Sequence, residues 1–172
     1  RESWQCINES NKDEAFCYML YVDTEDEKPF KDLQKDLNLR GELIESGKFH
    51  ATIRYVKTEK SPKSFLEFLK SQKLPSIEAT CKRFEIYGPE KDTLVIELES
   101  KELHDWFHKV NDWLVDHGYP PSDYPTYKPH ISLTEKAGIE KPEWKKEYRQ
   151  KVNLKIHVVT ETKYKEIFRS VG

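Results

Sequence analysis

Tyr124-Pro125-Thr126-Tyr127-Lys128-Pro129-His130-Ile131-Ser132-Leu133-Thr134 decides the fold once it is set beside an earlier stretch, Lys48-Phe49-His50-Ala51-Thr52-Ile53-Arg54-Tyr55. Each carries a histidine, one spacer and a hydroxyl residue within a run of β-branched and aromatic side chains. Along an extended strand, side chains two apart share a face. His50 and Thr52 therefore face one way and Ala51 and Ile53 the other; His130 and Ser132 repeat the pattern against Ile131 and Leu133. The expectation is that each strand turns its histidine and hydroxyl inward and its apolar residues outward, and that the two build one site. Arg54 shares the parity of His50 and Thr52, so it is expected to face the same way.

Working outward, Ala15 to Val22 (AFCYMLYV) reads as a buried strand and Pro29 to Leu39 as an amphipathic helix with Pro29 in its first turn. Residues 1 to 14 read as a peripheral polar segment. Ser61-Pro62 is expected to open a second helix, with Ser61 as cap. Ile77–Tyr87 and Thr93–Leu98 read as strands joined through Gly88. Ser100 is expected to cap a long helix that Gly118 stops. Pro142 to Gln150 looks helical, and a closing pair of strands is expected over Val152–Val159 and Thr162–Phe168. The chain is α+β, one domain over 1–172 in two lobes.

The chain has 172 residues, 35% of them charged, with a formal net charge of -2. Such a balance excludes the bulk basic excess that gripping duplex nucleic acid requires. No apolar run approaches the roughly 20 residues that span a bilayer. Cys6, Cys17 and Cys81 lack metal-ligand spacing and leave one over in any disulfide scheme, so reduced thiols in a cytoplasmic compartment are expected.

Opening a phosphodiester near neutral pH requires a base for the attacking oxygen, an acid for the leaving oxygen, and donors for the phosphoryl oxygens. Histidine serves either proton role, and a hydroxyl two residues along can hold a phosphoryl oxygen. The other histidines fit duller roles. His104 and His108 have helical i, i+4 spacing but no third ligand, and read as a solvated face; no metal and no cofactor are expected. His117 suits a helix C-terminus, and His157 reads as packing. Lys136 could meet an anion. A serine elbow and a Gly-rich phosphate loop are both absent.

The paired His50-Ala51-Thr52 and His130-Ile131-Ser132, with helix, hairpin and helix between them, resemble the 2H phosphoesterase superfamily. Thr93-Leu94-Val95-Ile96-Glu97-Leu98, Ser100, Glu102-Leu103 and Asp123-Tyr124-Pro125-x-Tyr127-x-Pro129-His130 are similar to phage-encoded members. Those include anti-CBASS phosphodiesterases that destroy cyclic oligonucleotide alarm signals. The resemblance implies a bilobal LigT-like fold around a central cleft, with His50 and His130 dividing base and acid, and Thr52 and Ser132 holding the phosphate. It implies metal-independent cleavage of 3'-5' bonds by 2'-hydroxyl attack, in the host-cell cytoplasm.

For base stacking, Tyr124 is the favoured aromatic, followed by Tyr127, Tyr18 and Trp144, with Arg54 as a cleft cation. Partners are a cyclic oligonucleotide or short RNA-type substrate, with no duplex and no membrane; oligomeric state stays open. Two alternatives stand beside this reading: action on RNA ends, 2',3'-cyclic phosphates or 2'-5' oligoadenylates, and a non-catalytic nucleotide-binding module.

Overall fold

A computed structural model describes residues 16–72, 76–88, 90–124, 126–135, 138, 140–162 and 166–171. The elements run β1 (Phe16–Thr24), α1 (Lys28–Asp36), β2 (Glu42–Leu43), β3 (His50–Thr58), α2 (Lys63–Ser71), β4 (Ile77–Tyr87), β5 (Thr93–Glu99), α3 (Lys101–Asp116), β6 (His130–Glu135), a 3₁₀ turn (Lys146–Tyr148), β7 (Lys151–Thr162) and β8 (Glu166–Val171). The expected peripheral segment 1–14 and Lys136 lie outside the described residues.

Among the described residues every strand pairing is antiparallel. The sheet order is β2-β6-β5-β4-β7-β1-β3, with β8 added on β7. The motif strands thus stand far apart along the sheet path, β3 at one end and β6 next to the other, yet Cα atoms of the two come within 8 Å of each other. The sheet curls far enough to bring its ends together, as the right-handed twist of strands allows.

The three helices of the described residues cover one face. Phe30 and Leu33 of α1, Phe65 and Leu69 of α2, and Leu103, Phe107, Val110 and Leu114 of α3 join one buried cluster. From the sheet that cluster takes Tyr18, Leu20, Val22, Ala51, Ile53, Ile131 and Leu133. The expected orientation is therefore corrected. The apolar residues of the motif strands point into the helix-covered core, and the histidines and hydroxyls point to the opposite face. The reason is area: only the helix-covered face can bury Ile and Leu fully, and transfer of such side chains from water supplies most of the folding free energy.

Ser100 caps α3 as expected. Its Oγ accepts the Leu103 N–H at 3.2 Å and donates to the Glu78 carbonyl at 2.8 Å, tying the helix to β4. Gly118 ends that helix at φ +80°, a left-handed conformation that disfavours any Cβ. At α2 the cap is displaced: Pro62 takes the N-cap place, and Ser61 Oγ accepts the Lys63 N–H instead. Helix α1 ends short of Leu39 because Asn38 is left-handed at φ +50°.

The helix expected over Pro142–Gln150 is reduced to the single 3₁₀ turn. That stretch carries only Trp144 and Tyr148 as apolar residues, too few for a helical stripe. Cys81 is a free, buried thiol. Cys17 is held in a disulfide, which corrects the expectation of reduced thiols there. Among the described residues, no helix is long and apolar enough to cross a membrane.

Candidate active site

The two motif strands share a detail that goes beyond their sequence. In the β1–β3 ladder Tyr21 pairs with Thr52 but Leu20 pairs with Arg54, so Ile53 is an extra residue. In the β5–β6 ladder Val95 pairs with Ser132 but Leu94 pairs with Thr134, so Leu133 is the extra one. An unpaired insertion of this kind bends the strand and reverses the side-chain alternation beyond it. Both motifs carry it at the residue directly after the hydroxyl.

The bulge overturns the parity expected for Arg54. Arg54 is 4% exposed and lies on the helix side. Its Nε donates to Asn111 Oδ1 of α3 at 2.9 Å, Nη1 to the Tyr55 carbonyl at 2.7 Å and Nη2 to the Pro120 carbonyl. Burial pushes its pKa down, and Asp123 acts in the opposite direction. The counterpart Thr134 is fully buried and donates to the Arg40 carbonyl at 2.8 Å. Each post-bulge residue thus ties its motif strand to the carbonyl of a connecting loop.

On the opposite face the histidines are half-buried and held alike. His50 Nδ1 lies 2.9 Å from the Lys48 carbonyl, and His130 Nδ1 lies 2.9 Å from the Lys128 carbonyl. A carbonyl only accepts, so Nδ1 carries the proton in both rings and Nε2 is left for other work. Each ring also meets a tyrosine nearly at right angles, Tyr21 for His50 (5.5 Å between centroids, 76°) and Tyr87 for His130 (4.7 Å, 89°). Across the ladder His50 pairs with Asp23 and His130 with Glu97. The Tyr87 hydroxyl donates to Glu97 Oε2, and Glu97 Oε1 stands 3.3 Å from Arg83 Nε. Burial, then the bond to Glu97, pushes the Tyr87 phenol pKa up, so the hydroxyl stays a donor.

The hydroxyls are half-buried on this same face. Thr52 Oγ1 lies 3.7 Å from Met19 Sδ, beside the apolar group of Met19, Tyr21 and Tyr55. The wall beside His50 is thus aromatic and apolar, whereas the wall beside His130 carries Arg83, Glu85 and Glu97. Lys141 approaches Glu85 at 3.5 Å.

Tyr127 joins the halves: its hydroxyl donates to the Thr52 carbonyl at 3.0 Å. Its ring stacks on Phe107 (4.5 Å, 4°) and meets His104 edge-on (5.3 Å). Burial raises its phenol pKa. Those contacts occupy the ring, which corrects the expectation of base stacking at Tyr127.

Tyr18 is corrected too: it is fully buried on the helix side, stacked on Phe65, and its hydroxyl donates to the Lys60 carbonyl. Trp144 packs edge-on against Phe84 and Tyr148. Of the expected aromatics, Tyr124 alone presents a widely open ring, 68% exposed, in the loop before the second motif.

His117 stacks on Trp113 at 3.9 Å and its Nδ1 lies 2.7 Å from the Trp113 carbonyl, closing the end of α3. Among the described residues no three His, Cys, Asp or Glu side chains cluster as metal ligands. The sequence reading missed Tyr21, Tyr87 and Glu97 at this face. No local signal marks them, because each reaches its histidine through strand register.

A family model described as "Anti-CBASS protein Acb1" matches residues 18–167. Comparison with curated protein sequences finds no match. Among solved structures, TT0787 of Thermus thermophilus is similar at 15% identity and TM-score 0.62, covering 89% of this chain and 94% of that one. E. coli LigT complexed with 3'-AMP is similar at 13% identity and TM-score 0.61, covering 92% and 98%. Usb1 of Kluyveromyces marxianus is similar at 9% identity and TM-score 0.50, covering 88% and 96%. At these identities the structural likeness establishes the LigT-like fold.

Proposed function

Because this chain belongs to the Acb1 family of anti-CBASS proteins, within the 2H phosphoesterases, and is a phosphodiesterase, we propose that it cleaves 3'-5' bonds of cyclic oligonucleotide messengers. One observation carries the assignment of residues. Two histidines from strands far apart along the sheet path sit on strands that come together, on one face, each with Nδ1 bound to a carbonyl and Nε2 left over.

In the proposed reaction one histidine takes the 2'-hydroxyl proton at Nε2 while O2' attacks the adjacent phosphorus. The P–O5' bond breaks, and O5' takes a proton from Nε2 of the other histidine. Thr52 and Ser132 donate to the phosphoryl oxygens as charge builds there. The product is a linear chain ending in a 2',3'-cyclic phosphate. Hydrolysis follows with roles exchanged. The second histidine takes a proton from water as the water oxygen bonds to phosphorus, the P–O2' bond breaks, the first returns its proton to O2', and a 3'-phosphate remains. A Nδ1–H bond to a carbonyl stabilises each imidazolium when it forms, so either ring is equipped for either role.

A bound 3'-AMP in the LigT structure supports a nucleotide-type substrate, and the exposed Tyr124 is the aromatic proposed to stack on a base.

The test is incubation with cyclic di- and trinucleotides, their 2'-deoxy analogues and short linear RNAs, in chelator, with products read by mass spectrometry. Ring opening to a cyclic phosphate or 3'-phosphate, blocked in the 2'-deoxy analogue and lost by ~10²–10⁴-fold in His50→Ala and His130→Ala, is expected. Rapid cleavage of the 2'-deoxy compound refutes the nucleophile. Cleavage of linear RNA or 2'-5' oligomers alone keeps the chemistry and discards the messenger.

A further inference from the structure

Around each histidine of the candidate site the same three neighbours recur. A lysine two residues earlier gives its carbonyl to Nδ1, a tyrosine ring stands nearly perpendicular to the imidazole, and an acidic residue pairs across the ladder. The tyrosines come from different places. Tyr21 lies on the neighbouring strand β1, two residues from Asp23. Tyr87 lies on β4, two strands from His130, at the last residue before the Gly88 turn. Sheet packing alone gives no reason for both histidines to acquire the same surroundings from unrelated positions. A requirement on the imidazoles themselves does.

That requirement is orientation. The torsion that turns a histidine ring, between an sp³ and an sp² carbon, is soft. A single bond from Nδ1 to a carbonyl fixes one edge of the ring and leaves it free to swing about that edge. A second contact from the side closes the swing and sets where Nε2 points. We propose that Tyr87 is a positioning residue for His130, with Tyr21 as its counterpart at His50. Tyr87 is itself fixed: its hydroxyl is held by Glu97, and Glu97 by Arg83. Tyr21 is fixed by burial, at 8% exposed, in the group with Met19 and Tyr55. This inference rests on the proton-transfer roles proposed for the two histidines.

The test compares Tyr87→Ala and Tyr87→Phe with the wild type, by turnover and by ¹⁵N spectra of labelled histidine, which report tautomer and ring environment without any substrate. Loss of the ring in Tyr87→Ala is expected to lower kcat by about 10–100-fold, the scale of a misplaced reacting group, with KM within about 3-fold. The His130 nitrogens shift while those of His50 stay in place. Tyr87→Phe keeps the ring but loses the bond to Glu97 that holds it, and is expected to fall between wild type and Tyr87→Ala. Should Tyr87→Ala fail to fold, Tyr87→Leu replaces it, keeping apolar bulk without the ring.

A raised KM with unchanged kcat would make the ring a platform for substrate and overturn the proposal. So would a Tyr87→Phe enzyme as impaired as Tyr87→Ala, or an alanine variant with wild-type turnover and an unmoved His130. If the wild type cleaves no substrate, the reaction assignment fails while the spectra still decide the positioning: a shift confined to His130 supports it and an unmoved His130 refutes it.

Discussion

Replacing Arg54 by Met discriminates between two readings of the same residue: a cleft cation that grips substrate, or a buried tie between strand and loop. The structure favours the tie. Arg54 is 4% exposed, and its guanidinium serves Asn111 Oδ1 and the carbonyls of Tyr55 and Pro120. Methionine fills comparable length without donors, so these acceptors lose their partner. Asn111 can turn its amide elsewhere; the two carbonyls are fixed by the backbone. A buried acceptor left unsatisfied costs about 1–3 kcal/mol, whereas Pro120 is exposed and water can replace its partner; loss of the guanidinium's own desolvation penalty offsets part of the cost. The net expectation is about 1–3 kcal/mol out of the ~5–15 kcal/mol that a domain has. For a chain of this size that lowers Tm by about 2–12 °C.

Urea unfolding gives the stability change, and steady-state kinetics well below the variant's Tm gives the effect on function. Because the Pro120 contact anchors the loop leading to the second motif, kcat is expected to fall modestly with KM little changed. Arg54→Lys, whose single amine cannot reach all three acceptors, is expected to fall between wild type and Met. A Met variant of unchanged stability with KM raised about 10-fold or more, the loss of about 1.4 kcal/mol of binding, would restore the cleft cation and refute the burial argument.

Two further outcomes test the frame. Ser100→Ala removes both the acceptor for Leu103 N–H and the bond to the Glu78 carbonyl, and is expected to cost about 1–2 kcal/mol in urea unfolding, with no change in KM. Burial pushes the Cys81 thiol from its ordinary 9.0 up to about 11. The folded state therefore keeps a proton that the unfolded state releases, so the Cys81 contribution is intact below pH 9 and is lost as pH rises through about 11. The slope in between is at most about 1.4 kcal/mol per pH unit. The difference in unfolding free energy between wild type and Cys81→Ala is expected to shrink across that window; a constant difference would contradict it.

Much of the fold was legible because its signals are local. Ser100 and Gly118 bracket α3 by capping chemistry, and the apolar spacing of Leu103, Phe107, Val110 and Leu114 gives its buried stripe. The motif strands announced themselves through His-x-hydroxyl on an alternating background. What failed was anything that depends on register between strands. The run from Ala15 to Val22 is apolar at both parities, so nothing in it told Tyr18, on the helix side, from Tyr21, beside His50. Tyr87 reaches His130 from two strands away, and Glu97 does so across a ladder whose pairing no single segment encodes.

The bulges at Ile53 and Leu133 are the sharper lesson, since they broke a parity argument that was otherwise sound. Without them, strict alternation would place Arg54 beside Thr52, and Thr134 beside Ser132, on the histidine face. A guanidinium fixed there would compete with the hydroxyls for a phosphoryl group, and the helix side would lose its tie to the Pro120 loop. One extra residue directly after each hydroxyl sends Arg54 and Thr134 to the helix side, where each binds the carbonyl of a loop. It also brings Tyr55 onto the motif face next to Met19 and Tyr21. A bulge that recurs at the same place in both halves, each time separating a functional face from an anchoring one, is better explained as a device of the site than as an accident of sheet curvature.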